Sequence, residues 1–306
     1  MSEIRNQNAK LVGVEVSKTA FYAVSLNENG EVINNLKIAV ESGQEPIRQL
    51  VNFIEEAKNK FGGFDKAGLS LPGLLHRRTN RIAFSTNIPE HEKTDFLSEA
   101  ENATGVKITA ENDANAAAYA EFKQGAGRGV TDMFYATIGA GIGGAFIFNG
   151  EIWEGASGFA GEFGQLALNS EGMRLEEVAS AANIVRRTRN RFHQDSTSSL
   201  NNLAEEKITL SDVIQAARNQ DDFARMMLDR TGTYVGAAIA GVINLLNIER
   251  IVVGGEIMQA GELVLDSMIR RARELSFTPA FKGTEIVRGE LGDEAAATGA
   301  ALLSVR

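Results

Sequence analysis

The stretch AENDANAAAYAE, residues 110–121, decides the fold of this chain. It continues a β-branched run over 106–110, which predicts a strand, and its alanines predict a helix that starts at Asn112 or Asp113. An aspartate at a helix start is commonly a cap that accepts backbone N–H groups. Two adjacent polar side chains after a strand, followed by small residues that admit another surface, fit a binding position equally well. Both interpretations stay open from these residues alone.

Strands and helices alternate on both sides of this stretch, which predicts an α/β protein. Upstream, the patterns predict strands over 11–16, 21–26, 32–38 and 66–71 and a helix over 45–61. Downstream, they predict strands over 132–138, 145–148 and 251–253, a glycine turn over 139–144, and helices over 175–192, 210–219, 221–246, 261–275 and 294–304. The two strand–turn–strand hairpins suggest a duplicated architecture in which both hairpins face one cleft.

Composition excludes several classes of site. At 306 residues the chain has room for two lobes with separate cores. It has no cysteine, so thiolate catalysis and cysteine-bound metal are excluded, and its three histidines have no ligand-like spacing. A net charge of -9 argues against broad contact with nucleic acid or an anionic membrane. The polar start of the chain and the short apolar run over 235–246 predict neither a secretion signal nor a membrane span, so we expect a cytoplasmic protein.

Four further segments have the composition of ligand sites. Glu15 ends a predicted strand before a polar turn, where a carboxylate can serve Mg²⁺ and phosphate, although a solvated turn fits as well. The glycines of GAGIGG, residues 139–144, let a backbone approach phosphate, or simply form a hairpin turn. Glu162 lies in a glycine-rich loop where it could bind two sugar hydroxyls or face solvent. Gly254 and Gly255 end a predicted buried strand, and ligands in an α/β sheet usually bind at the carboxyl ends of its strands.

In their order along the chain, these segments resemble the ROK family of bacterial sugar kinases and sugar-responsive repressors. The resemblance extends from residue 12 to residue 303 and rests on these segments: LSLPG at 69–73, NIP at 87–89, ENDANAAA at 111–118, GAGIGG at 139–144, NGEIWEG at 149–155, GFAGEFGQ at 158–165, LEEVAS at 175–180, IVVGG at 251–255 and LGDEAAATGAA at 291–301. It implies a two-lobed, actin-like (ribonuclease H-like) ATPase fold. The small lobe would comprise residues 1–115 and 291–306, and the large lobe residues 116–290.

The resemblance also implies site residues and a reaction. Asp113 would be the catalytic base that takes the proton from a sugar hydroxyl as that oxygen attacks the γ-phosphate of ATP. The sugar would be bound by Gly73, Asn87, Asn112, Asp113, Glu162, Gln165 and Glu176. ATP with Mg²⁺ would be bound by Glu15, Thr19, Gly139, Gly141, Gly254 and Gly255.

The chain departs from the family pattern mainly on the ATP side. Where family kinases have D-x-G-G-T, this chain has Glu15 followed by Val-Ser-Lys-Thr, and Ala140 replaces a threonine in the second loop. Glu256 follows Gly255 where many members have a third glycine. On the sugar side, Gln165 replaces a histidine, and residues 169–174 replace the cysteine-rich zinc segment, so no zinc is expected.

These features predict an ATP-dependent hexose kinase, glucokinase-like, with a non-catalytic sugar-binding regulator as the alternative. The missing glycines favour the regulator. About ten residues precede the first strand, too few for a helix-turn-helix module, so no nucleic-acid partner is expected. Family members are often homodimers, and the expected partners are a small sugar and a second copy of the chain, with no membrane.

Overall fold

The computed structural model describes residues 11–76, 81–84 and 95–305. These residues form two compact units. The first unit contains the described residues up to 124, residues 154–160 and residues 294–305, and the second unit contains residues 125–153 and 161–293. Each unit has its own five-stranded sheet and its own hydrophobic core.

The sheet of the first unit has the order β3-β2-β1-β4-β7. Strands β1, β2 and β3 form an antiparallel meander, and β1, β4 and β7 run parallel. The strands are β1 (Leu11–Val16), β2 (Ala20–Leu26), β3 (Val32–Ala39), β4 (Lys66–Leu71) and β7 (Lys107–Asn112). A separate hairpin is formed by β5, Leu74–His76, and β6, Arg81–Phe84.

Four helices complete the described part of the first unit: α1 (Pro46–Phe61), α2 (Phe96–Thr104), α3 (Asp113–Gln124) and α10 (Ala295–Leu303). In α1, Leu50, Phe53, Ile54 and Ala57 recur at three- and four-residue spacing and are buried against the sheet. The chain enters α1 through Pro46 and leaves it through Gly62 in the left-handed conformation.

Helix α10 packs at backbone contact against β1, β4 and α3. A Cβ atom added at Gly68 would overlap the carbonyl of Ala300, and one added at Gly299 would overlap the carbonyl of Ala116. Glycine at these two positions therefore lets α10 approach both the sheet and the helix that starts at Asp113.

The sheet of the second unit has the order β10-β9-β8-β11-β12. Strands β8, β9 and β10 form an antiparallel meander, and β8, β11 and β12 run parallel. This is the same pattern as in the first unit, which confirms the predicted duplication of the sheet. The strands are β8 (Met133–Ile138), β9 (Ile142–Phe148), β10 (Glu151–Trp153), β11 (Arg250–Gly254) and β12 (Glu285–Arg288).

The helices of the second unit are α4 (Glu176–Ala179), α5 (Ala181–Arg189), α6 (Leu210–Arg218), α7 (Asp222–Leu246), α8 (Glu262–Leu275) and α9 (Thr278–Lys282). Side-chain caps begin two of them: Thr209 and Asp212 form a capping box on α6, and Asp221 accepts the N–H of Ala224 at 3.0 Å on α7. None of the helices that the structure describes is long and apolar enough to cross a membrane.

Two predicted boundaries are wrong. The glycine turn is shorter than 139–144, because Gly143 and Gly144 lie inside β9, where a Cβ atom at Gly144 would be 2.9 Å from the ring of Phe134. The single helix predicted over 175–192 is divided into α4 and α5 by Ser180, which is extended (φ −67°, ψ 156°).

Candidate active site

The turn between β1 and β2 contains the residues predicted to bind ATP in the first unit. Ser17 closes this turn with its own side chain: its hydroxyl donates to the carbonyl of Ala20 at 2.8 Å and accepts the N–H of Ala20 at 3.0 Å. The N–H of Thr19 lies 3.4 Å from the same hydroxyl. Glu15 is partly buried near the end of β1, whereas Lys18 and Thr19 are exposed. Ser17 therefore uses backbone donors that a phosphate-binding turn leaves open for its ligand.

Asn112 ends β7 and Asp113 begins α3, so both side chains are at a helix N-terminus. The side-chain oxygen of Asn112 accepts the N–H groups of Ala114 and Asn115 at 3.0 and 3.2 Å. Its amide nitrogen donates to the carbonyl of Gly73 at 2.9 Å. One carboxylate oxygen of Asp113 accepts the N–H of Ala114 at 2.8 Å. Asn112 thus caps the helix and also joins it to the segment that follows β4.

Glu111 stabilises the same helix start from the strand side. Its Oε1 accepts the N–H of Asn112 at 2.9 Å and the side-chain amide of Asn115 at 3.0 Å. Asn115 is only 5% exposed, so this contact is well shielded from water. The sequence indicates this contact only through the four-residue spacing of Glu111 and Asn115.

The predicted sugar ligand Asn87 lies outside the described residues.

The glycine turn of the second unit, Gly139 to Gly141, lies directly against a predicted sugar ligand. The N–H of Gly139 donates to the carbonyl of Gly141 at 2.9 Å, and the N–H of Ala181 donates to the carbonyl of Gly139 at 2.7 Å. Just after the turn, the N–H of Ile142 donates to Oε2 of Glu176 at 2.8 Å. A Cβ atom added at Gly141 would be 3.1 Å from that same oxygen. The Glu176 carboxylate is therefore in contact with the predicted phosphate turn.

Glu162 is close enough to Glu176 for the two carboxylates to interact. Glu162 precedes a short 3₁₀ turn, Phe163–Gln165, that is anchored by the buried ring of Phe163. Partial burial raises the pKa of the Glu162 carboxyl, and the negative charge of Glu176 raises it further. Two adjacent acceptors of this kind suit a ligand with neighbouring hydroxyl donors, because each hydroxyl can donate to one carboxylate.

Gln165 lies next to Glu162 and is held by an arginine. Its N–H donates to the carbonyl of Glu162 at 3.1 Å, and its side-chain oxygen accepts from Nη1 of Arg174 at 2.8 Å. Arg174 is in the segment that replaces the family's zinc segment, and nothing in its local sequence indicates a role. Arg174 is therefore a candidate site residue that the sequence alone does not indicate.

Gly254 ends β11 and Gly255 follows it, beside the glycine turn. A Cβ atom at Gly139 would be 3.8 Å from the backbone nitrogen of Glu256 and 3.9 Å from its Cβ. The two segments predicted to bind the nucleotide in the second unit are therefore neighbours, as their positions after β8 and β11 require. The exposed Glu256 adds a carboxylate to this edge.

The structure thus brings several of the predicted residues together within each unit. Asn112, Asp113 and Gly73 are linked in the first unit, and Gly139, Gly141, Glu162, Gln165, Glu176 and Gly255 lie around one glycine turn in the second. Across the described parts of the chain, no three acidic or histidine side chains are grouped as a metal site. A Mg²⁺ ion carried by a nucleotide needs only one or two protein carboxylates, fewer than such a group would contain.

Comparisons with known proteins support the family resemblance that the sequence motifs indicate. The model of the ROK family matches residues 11–306. A glucokinase of Thermotoga maritima is 32% identical over 95% of this chain and 96% of its own length. A xylose repressor of Caldicellulosiruptor bescii is 25% identical over 97% of this chain and 78% of its own length. The crystal structure of a ROK family glucokinase from Streptomyces griseus, in complex with glucose and AMPPNP, superposes with a TM-score of 0.86 at 26% identity and covers 97% of this chain and 99% of that one.

Proposed function

The chain belongs to the ROK family, and on that premise we infer that it is a sugar kinase that transfers the γ-phosphoryl group of ATP to a hexose hydroxyl. The predicted actin-like α/β fold is confirmed by the solved ROK kinases that it matches. The observation that carries the proposal is the site of the second unit, where the predicted sugar ligand Glu176 contacts the predicted phosphate turn through the N–H of Ile142.

Asp113 is the proposed catalytic base. It would accept the proton of the sugar hydroxyl, commonly the 6-hydroxyl, while that oxygen bonds to the γ-phosphorus and ADP leaves. The hydrogen bonds of Asn112 and Glu111 fix the helix start that carries Asp113. A base held in this way can keep the short distance to its proton that general-base catalysis needs.

Glu162, Gln165 and Glu176 are the proposed sugar ligands in the second unit, and Gly73, Asn87 and Asn112 are the proposed sugar ligands in the first. Carboxylates accept hydrogen bonds from sugar hydroxyls, and the amide of Gln165 donates to their oxygens. The ligands of the Streptomyces griseus glucokinase, glucose and AMPPNP, support a hexose and a nucleoside triphosphate as the substrate pair.

ATP is proposed to be bound through Thr19 and the glycines at 139, 141, 254 and 255, with Mg²⁺ supported by Glu15. The metal would neutralise charge on the phosphates as the phosphoryl group moves. The exposed carboxylate of Glu256 and the self-closed turn at Ser17 both disfavour a tightly bound triphosphate. We therefore expect a high KM for ATP.

A coupled assay of ADP release tests this function. The purified protein would be given MgATP with glucose, mannose, fructose, N-acetylglucosamine or allose in turn. We expect ADP release that depends on one or a few of these sugars. If a sugar binds in calorimetry while MgATP is neither bound nor consumed, the kinase proposal is wrong.

A non-catalytic sugar-binding regulator is the second candidate. The Ser17 turn favours it, since the backbone donors of the first phosphate turn are already used. The similarity to a xylose repressor over 97% of the chain is compatible with it. The outcome of sugar binding without MgATP binding would support this candidate. A cytoplasmic location, a homodimer and the lack of nucleic-acid and membrane partners stay predictions.

A further inference from the structure

The ten residues after Gln165 form a small hairpin with its own hydrogen bonds. The N–H of Leu175 donates to the carbonyl of Leu166 at 2.9 Å, and the N–H of Leu168 donates to the carbonyl of Met173 at 2.8 Å. The side chain of Asn169 closes the turn by accepting the N–H of Met173 at 2.9 Å.

This hairpin fixes the backbone of Arg174. Arg174 pairs with Ala167 across the hairpin. Its N–H donates to Oε2 of Glu177 at 2.9 Å, and its carbonyl accepts the N–H of Glu177 at 3.2 Å. With its backbone held on both sides, Arg174 extends its guanidinium to Gln165, where Nη1 lies 2.8 Å from Oε1.

The chemistry of the pair determines the orientation of the Gln165 amide. A guanidinium has five N–H donors and no acceptor, so the amide atom that faces it must be the oxygen. The NH₂ group of Gln165 then points away from Arg174, and within the described residues it has no other side-chain partner. Gln165 therefore offers a ligand a donor, while the neighbouring Glu162 and Glu176 offer acceptors.

We propose that Arg174 is a positioning residue that holds Gln165 as a hydrogen-bond donor in the sugar site and so determines which sugar hydroxyl is recognised there. This inference rests on the proposed sugar kinase function. A hydroxyl that donates its proton to a carboxylate of Glu162 or Glu176 can accept from the Gln165 amide at the same time. A sugar that lacks this hydroxyl leaves the Gln165 amide without an acceptor. The loss of such a hydrogen bond discriminates between sugars more strongly than the loss of an apolar contact does.

The first test is a double-mutant cycle with steady-state kinetics on the best sugar. Arg174→Met removes the donor but keeps the aliphatic stem, and Gln165→Met removes the amide. We expect each single variant to lose about three- to tenfold in kcat/KM for the sugar, mainly through KM, as one hydrogen bond implies. The double variant should be no worse than Gln165→Met alone, because Arg174 acts through Gln165.

Two control variants separate positioning from a general structural effect. Arg174→Lys keeps a donor and should recover part of the loss. Arg128→Met, in the same unit, removes a guanidinium that contacts Glu290 at 3.5 Å and should leave the kinetics unchanged. All variants should melt within about 2 °C of the wild type. A double variant whose loss equals the product of the two single losses overturns the proposal.

A panel of deoxy sugars identifies the hydroxyl. For wild type, removal of the recognised hydroxyl should cost the most, and for that one deoxy sugar Arg174→Met should have no further effect. If Arg174→Met weakens all deoxy sugars and the parent equally, the proposal fails while the kinase function stands. A wild-type protein that phosphorylates none of the sugars contradicts the function instead, and calorimetric sugar binding by the same variants then decides the role of Arg174.

Discussion

The Ser17 hydroxyl accepts the N–H of Ala20 at 3.0 Å and lies 3.4 Å from the N–H of Thr19. A phosphate group would need these donors, because successive backbone N–H groups form the anion site of such turns. The double variant Ser17→Gly, Lys18→Gly removes the competing hydroxyl and restores two glycines. We expect its KM for ATP to fall severalfold with the KM for sugar unchanged. An unchanged KM for ATP would show that this turn does not limit nucleotide binding.

Asp113 provides the second prediction at this scale. Asp113→Asn keeps the size of the side chain and an acceptor for the N–H of Ala114. The sugar Kd from calorimetry should therefore stay within about fivefold, since a base acts mainly in the transition state. The kcat should fall by about 100- to 10,000-fold, the usual contribution of a general base. Normal turnover by this variant would remove Asp113 from the mechanism.

The pair Glu162 and Glu176 predicts a pH dependence of sugar binding. The ionised Glu162 carboxylate accepts a hydrogen bond from a hydroxyl more strongly than the protonated group does, so sugar affinity is highest above its pKa and weakens as pH falls through it. Because burial and Glu176 raise that pKa, the loss should begin at a higher pH than for an ordinary glutamate. In Glu176→Gln the midpoint should move to lower pH. A midpoint that stays in place would contradict the coupling of the two carboxylates.

At the scale of elements, the contact of α10 with α3 determines how the start of α3 is placed. Gly299→Ala puts a methyl group onto the carbonyl of Ala116, which should cost about 1–3 kcal/mol in the free energy of unfolding. Gly241→Ala is the matched control, since it lies within α7 with nothing within 4 Å of the added Cβ. It should raise the melting temperature slightly through helix propensity. Equal effects of the two changes would contradict the packing argument.

Elements with strong periodicity could be predicted from the sequence, and elements defined by tertiary contacts could not. The meander of β1 to β3 and the helices α1 and α7 were predicted within one or two residues. The break at Ser180 was not, because no proline or glycine marks it and the N–H of Ala181 leaves the helical pattern for a tertiary partner, the carbonyl of Gly139. The short strands β10 and β12 were missed because their pairing with β9 and β11 makes them strands.

The candidate site shows the same division. Glu162, Glu176 and Asp113 could be found because they lie in motifs that resemble a known family. Arg174 could not, since its contact with Gln165 depends on a hairpin whose backbone hydrogen bonds have no residue signature.

At the scale of the whole molecule, the two units repeat one sheet pattern, a three-stranded meander followed by two parallel strands. In each unit the turn of the first hairpin is predicted to bind phosphate, but the two turns differ. The turn of the second unit is made of glycines that lie against Glu176, and that of the first is closed by Ser17. The central claim is that this chain is a working sugar kinase. It therefore requires that phosphoryl transfer proceeds although the phosphate turn of the first unit is closed by Ser17.

The measurement that tests this claim most directly is ³¹P NMR of the protein incubated with MgATP and glucose, with the other hexoses as further samples. The account predicts a new phosphate-monoester resonance that grows together with ADP and is absent in the Asp113→Asn control. Unchanged ATP resonances with every sugar, in samples where calorimetry shows the sugar bound, would contradict it.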